Sequence, residues 1–183
     1  MWNRLSNYTE EGRNERLKNY FKFVFVREPL QRLLSAYKNK LRSNTKNLRN
    51  ETNQALRPQE FKPQGKKFVE FKEFIQHFSN NMSRNQHLRQ YEKLCHPCVI
   101  HYDFIGHLET LKEDAALLLQ MAGINDRVTF LPIHKSTGPS EVLKHFSEVP
   151  VEYIKRLGEL YRNDFEMFGY EYLGPVKKLL KQS

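Results

Sequence analysis

The stretch FKFVFVREPLQRLLSAYKNKL, from Phe21 to Leu41, does most to limit what this chain can become. Phe21 to Val26 is β-branched, aromatic and almost continuously apolar, the pattern of a buried strand in a parallel sheet. Pro29 follows at once, and proline suits the first turn of a helix, where its missing N–H costs nothing. Leu30, Leu33, Leu34, Tyr37 and Leu41 then recur at helical spacing as one apolar stripe, with Lys38, Lys40 and Arg42 off it. A strand that runs straight into an amphipathic helix is the opening of an α/β unit.

The rest of the chain repeats that alternation. Lys67 to Phe78 returns to helical spacing through Phe68, Phe71, Phe74, Ile75 and Phe78, and a further helix is expected around His87 to Leu94. Val99 to Ile105 reads as a second buried strand, turned by Gly106. Leu108 to Met121 reads as a helix closed by Gly123. Arg127 to Pro132 is expected as a third short strand, and Val149 to Phe168 as a final amphipathic helix. The expected fold is α/β, a parallel sheet flanked by helices, in one domain over residues 1–183. The stretch at about 42–67 is rich in Asn, Lys, Arg and Gln with few large apolar residues, and reads as a basic, solvated insertion.

Net charge is +9, from 30 Lys+Arg against 21 Asp+Glu, which favours anionic partners: nucleotides, nucleic acid, acidic glycans or acidic membrane. No nucleic-acid-binding module is recognisable, so charge by itself does not carry that reading. No run approaches the ~20 apolar residues of a transmembrane helix. The N-terminus lacks the apolar core of a signal peptide. Three sequons, at Asn7, Asn50 and Asn81, lean toward a secretory lumen. Cys95 and Cys98 lack the second ligand pair that zinc requires, so no metal is expected; a local disulfide or two buried thiols is the plainer reading.

In an open parallel sheet, ligands bind beyond the carboxyl ends of the strands, and Arg27 stands at such an end. The following helix aims its N–H groups and positive dipole end at the same crevice. Ser35 lies about two turns further on. Guanidinium, hydroxyl and helix terminus together suit a phosphate. The alternative is an arginine capping a sheet edge and a serine on a helix surface.

KFVFVREPLQRLLSAYKNKL resembles the 3′-phosphate-binding motif of the Golgi carbohydrate sulfotransferases, in the branch acting on chondroitin, dermatan, N-acetylgalactosamine and the HNK-1 epitope. LCHPCVIHYDFIGHLETLKEDA, Leu94 to Ala115, is similar to a second block of that branch. YRNDFEMFGYEY, Tyr161 to Tyr172, resembles its C-terminal segment. The resemblance implies a P-loop-kinase-like fold and 3′-phosphoadenylyl sulfate (PAPS) as sulfate donor. It implies a glycan acceptor, such as a glycosaminoglycan or another chain bearing N-acetylgalactosamine. On that reading Arg27 and Ser35 hold the 3′-phosphate, and Lys135 and Ser136 close over it from the His134–Gly138 loop. His87 is the candidate base, where the family has Asn-x-His-Trp; here Leu88 replaces the tryptophan. A surface loop and a helix-surface histidine are the plainer alternatives.

The chain also departs from the family's pattern. The Pro-Lys-x-x-Cys-Thr-x-Trp-Lys motif that cradles the 5′-phosphosulfate is not found before Arg27, and no G-x-x-x-x-G-K-[ST] loop replaces it. The expectation is a partial sulfotransferase domain without that strand-loop-helix, inactive or weakly active by itself. The alternative is an inactive fold that binds adenosine 3′,5′-bisphosphate or an acidic glycan. The family's location is the Golgi lumen, as type II membrane proteins; membrane attachment would come only through an N-terminal anchor not seen in this chain.

Overall fold

The computed structural model describes residues 4–39, 69–80, 86–130 and 137–181. In chain order the first elements are α1 (Glu10–Asn19), β1 (Phe23–Val26), α2 (Pro29–Tyr37), α3 (Phe71–Asn80) and α4 (Tyr91–Cys95). They are followed by β2 (Phe104–His107), α5 (Leu111–Met121), α6 (Pro139–Phe146) and α7 (Val151–Leu160). The chain closes with α8 (Arg162–Met167) and α9 (Lys177–Leu180). Two compact units emerge: Met1–Val26 with Cys95–Ile133, and Arg27–Leu94 with His134–Ser183.

In the first unit β1 and β2 pair in parallel, from Phe23 opposite Phe104 to Val26 opposite His107. This is the α/β arrangement the sequence implies, with two strands among the described residues. The second strand is displaced from its expected place. Val99 and Ile100 donate their N–H groups to the His96 carbonyl and lie in a turn, with His96 at φ +48. Pairing begins only after Asp103, whose carboxylate accepts the Lys22 N–H at 2.7 Å and meets Lys22 Nζ at 3.0 Å. Those two hydrogen bonds hold the Asp103 carboxyl below the usual aspartate range. Gly106 is a strand residue and not the turn that ends the strand. The Phe25 ring lies over it so closely that a Cβ there would stand 2.4 Å from a ring carbon. Only glycine admits that approach.

The crossover from β2 is pinned by Asp114, which accepts from His107 N at 2.6 Å and Thr110 Oγ1 at 2.7 Å. α5 ends as expected at Gly123, at φ +66, with Ile124 N–H bonded to Leu119 O and Gly123 N–H to Gln120 O. That double bond pattern is a Schellman cap. The third strand is absent from Arg127 to Phe130, because Arg127 and Val128 both donate to Ile124 O and form a turn. Residues 131–132, its remainder, lie outside the described residues, as does the basic insertion at 42–67.

The second unit is helical, with one core. The α2 stripe buries Leu30, Leu33, Leu34 and Tyr37, and α3 meets it with Phe71, Phe74, Ile75 and Phe78. Tyr37 stacks on Phe74 at 5.5 Å between ring centres and donates its hydroxyl to Val69 O at 2.7 Å. Val142 and Phe146 of α6, with Ile154 and Leu157 of α7, complete the packing. The expected final helix is two: Tyr161, at φ −103 and ψ 14, separates α7 from α8.

The Gly106→Ala variant is expected to lose about 1–3 kcal/mol of stability, the usual result of overfilling a packed site, as read by urea unfolding.

Candidate functional site

The described site residues all belong to the second unit. Arg27 follows β1 directly in the chain and is 8% exposed. Its guanidinium donates to the Thr137 carbonyl at 2.7 Å. Thr137 comes next in the chain after Lys135 and Ser136, which lie outside the described residues. The fold therefore joins the strand-end arginine to the base of the loop that the sequence reading singles out.

The start of α2 differs from the sequence reading, which gives that helix end a share in phosphate binding. Glu28 is the N-cap, and its carboxylate accepts the Gln31 N–H at 2.6 Å. Pro29 has no N–H to offer. A carboxylate thus holds the positive end of the helix, and a second anion there would be repelled.

Ser35 is half-buried on α2, with Asn39 Nδ2 at 3.4 Å from its Oγ. Helical spacing puts it on one face with Gln31 and Lys38. Lys38 forms an ion pair with Glu141 of α6. The Lys38 hydrogen bond holds the Glu141 carboxyl below the usual glutamate range.

His87 is exposed and lies in a turn over Gln86–Leu88, not in a helix. The helix begins later because its cap comes from elsewhere. Asp164, 0% exposed, accepts the Tyr91 N–H with both carboxylate oxygens, at 2.9 and 3.0 Å. This carboxylate also takes a hydrogen bond from Arg32 Nη2 at 3.2 Å. The Arg32 guanidinium lies 4.2 Å above the Tyr91 ring centre. Burial pushes the Asp164 carboxyl up, against the pull of Tyr91 and Arg32.

Tyr161, fully buried, donates its hydroxyl to Leu88 O at 2.6 Å. Burial also pushes that phenol up, so it remains a donor. Gln90 Nε2 donates to Leu160 O at 3.2 Å. Asp164, Tyr161 and Arg32 are not among the site residues that the sequence points to, although Tyr161 and Asp164 fall within the segment YRNDFEMFGYEY. A signal was present: Asp164 stands three residues after Tyr161 and beside Phe165, an acid within an aromatic face at helical spacing.

Among the described residues no three His, Cys, Asp or Glu side chains gather as metal ligands. No disulfide joins Cys95 and Cys98, which are half-buried and exposed respectively. No helix among the described residues is long and apolar enough to cross a membrane.

A family model described as the sulfotransferase family matches residues 1–171. The chain is similar to carbohydrate sulfotransferase 11 of Mus musculus, at 39% identity over 184 residues, covering 91% of this chain and 51% of the relative. It is similar to carbohydrate sulfotransferase 12 of Mus musculus at 34% identity, covering 92% of this chain and 44% of the relative. For carbohydrate sulfotransferase 10 of Xenopus laevis the identity is 32%, with 92% and 52% covered. The chain spans about half the length of the curated relatives it matches. No solved structure matches it.

Replacing Arg27 by Ala is expected to lower stability by about 1–3 kcal/mol in urea unfolding, because the buried Thr137 carbonyl loses a charged donor. Binding experiments at this position therefore call for Arg27→Lys, which keeps the cation and removes the planar fork.

Proposed function

This chain belongs to the sulfotransferase family, and from that premise we propose that its fold serves transfer of a sulfuryl group from PAPS to a glycan hydroxyl. The observation that carries the reading is Arg27, buried at a strand-to-helix junction with its fork held against Thr137. Arg27 and Ser35 take the 3′-phosphate of the donor, with Lys135 and Ser136 joining them from the segment before Thr137. The names of the relatives, carbohydrate sulfotransferases, support a sugar as acceptor. We place that sugar in a glycan bearing N-acetylgalactosamine, such as a glycosaminoglycan, and the site of action in the Golgi lumen.

The bond between the sulfuryl sulfur and the bridging oxygen of the donor breaks as the sugar oxygen bonds to the sulfur. Adenosine 3′,5′-bisphosphate leaves. His87 accepts the hydroxyl proton. Little covalent chemistry is asked of the protein in such a transfer; positioning and stabilisation of the leaving phosphate carry the rate. The excess of cations fits both anions in play, the donor and an acidic acceptor.

Calorimetric titration of the purified chain with adenosine 3′,5′-bisphosphate tests the reading. Binding is expected, weakened about tenfold or more by Arg27→Lys and by Ser35→Ala, since a hydrogen bond to a charged group is worth roughly 1.5–3 kcal/mol. A folded chain with no affinity for the nucleotide would overturn the donor site. Binding without sulfate transfer to a desulfated glycan would select the alternative, a nucleotide-holding fold without chemistry.

A further inference from the structure

We propose that Tyr161 and Asp164 are positioning residues that clamp the His87 segment and set its register against α2; the proposal rests on the reading of His87 as the base. His87 lies in the exposed turn Gln86–Leu88, outside any helix or strand. The chain just after it is held at three successive points. Leu88 O accepts from Tyr161 Oη at 2.6 Å, Gln90 Nε2 donates to Leu160 O at 3.2 Å, and Tyr91 N–H donates to Asp164 at 2.9 Å. Leu88 and Gln90 are buried while His87 and Arg89 point to solvent. The segment is thus seated on alternate residues, and His87 is the residue next to the first anchor.

The same carboxylate reaches the helix that carries Ser35. Arg32 of α2 donates to Asp164 Oδ2 at 3.2 Å, and its guanidinium lies 4.2 Å from the Tyr91 ring centre and 5.5 Å from that of Tyr161. One buried acid therefore links the phosphate-bearing helix to the segment bearing the base. Stability alone is a poor reason for such an arrangement. A well-packed apolar replacement for a buried ion pair is often neutral or stabilising, whereas a fixed polar network specifies geometry. Transfer depends on geometry, because a base about an ångström out of place loses most of its effect.

The test compares Asp164→Asn and Tyr161→Phe with the parent in the full-length protein. Both changes keep size and shape, and Tyr161→Phe keeps its ring in the core should Asp164→Asn fail to fold. Amide hydrogen exchange at Leu88–Tyr91 and the His87 imidazole NMR signal, assigned with His87→Gln, are read beside thermal unfolding and transfer kinetics. The expected result is cooperative unfolding retained, exchange in the segment about tenfold faster, a shifted or broadened His87 signal, and kcat about tenfold lower with the donor KM unchanged. A segment equally protected in both variants, with an unmoved His87 signal, overturns the clamp. Unchanged kcat in His87→Gln overturns the proposal by a different route, removing the base that the clamp serves. The two failures are told apart because the second leaves the exchange and NMR effects of Tyr161→Phe in place.

Discussion

The buried carboxylate of Asp164 is the contact on which the helical unit depends. It caps α4 through the Tyr91 N–H, pairs with Arg32 of α2, and sits on α8 one turn beyond Tyr161. A carboxylate with no exposure survives inside a protein only when its lone pairs are satisfied, and here backbone and guanidinium donors converge on it. Loss of Arg32 would leave this buried carboxylate to backbone N–H groups without a countercharge, so α2, α4 and α8 are specified together. Arg27 makes a similar but smaller link, from the start of α2 to Thr137. Between them these two polar contacts hold every described segment to which a site residue has been assigned.

The sheet unit is specified differently, by shape. Phe25 packs over Gly106, and the pairing register follows from that contact together with the Lys22–Asp103 bonds at the start of the ladder. The Phe25 ring also meets Phe104 edge-on at 6.2 Å between centres. Asp114 then turns the chain from β2 into α5. The fold thus uses a glycine where an aromatic ring must approach and acids where backbone N–H groups need partners.

Much of this was legible along the chain wherever the cause is local. α2 follows from Pro29 and the leucine spacing, α3 from its phenylalanines, and the end of α5 from Gly123. The misplaced elements are those whose cause lies far away in sequence. α4 starts at Tyr91 because Asp164, 73 residues on, caps it. β2 starts at Phe104 because Lys22, 81 residues before Asp103, fixes its entry. The apolar run at Val99 and Ile100 looks like a strand, yet both N–H groups are taken by His96 O. At the site, Arg27 and Ser35 stood out through their place after a strand, but the Glu28 cap did not. Its carboxylate occupies the N–H end of α2 that the sequence pattern leaves open. Asp164 is not legible as a buried acid from the sequence, because its donors, Tyr91 N–H and Arg32, lie far away along the chain.

The proposed role of Arg27 and Ser35, holding the 3′-phosphate of the nucleotide, can be read directly at phosphorus. Phosphorus NMR of adenosine 3′,5′-bisphosphate resolves the two groups, so a titration with the protein reports on each separately. The account predicts that the 3′-phosphorus signal shifts and broadens on addition of protein, and that Ser35→Ala diminishes the effect. Movement of the 5′ signal alone, or of neither, would contradict it and would leave Arg27 as a buried strut of the fold.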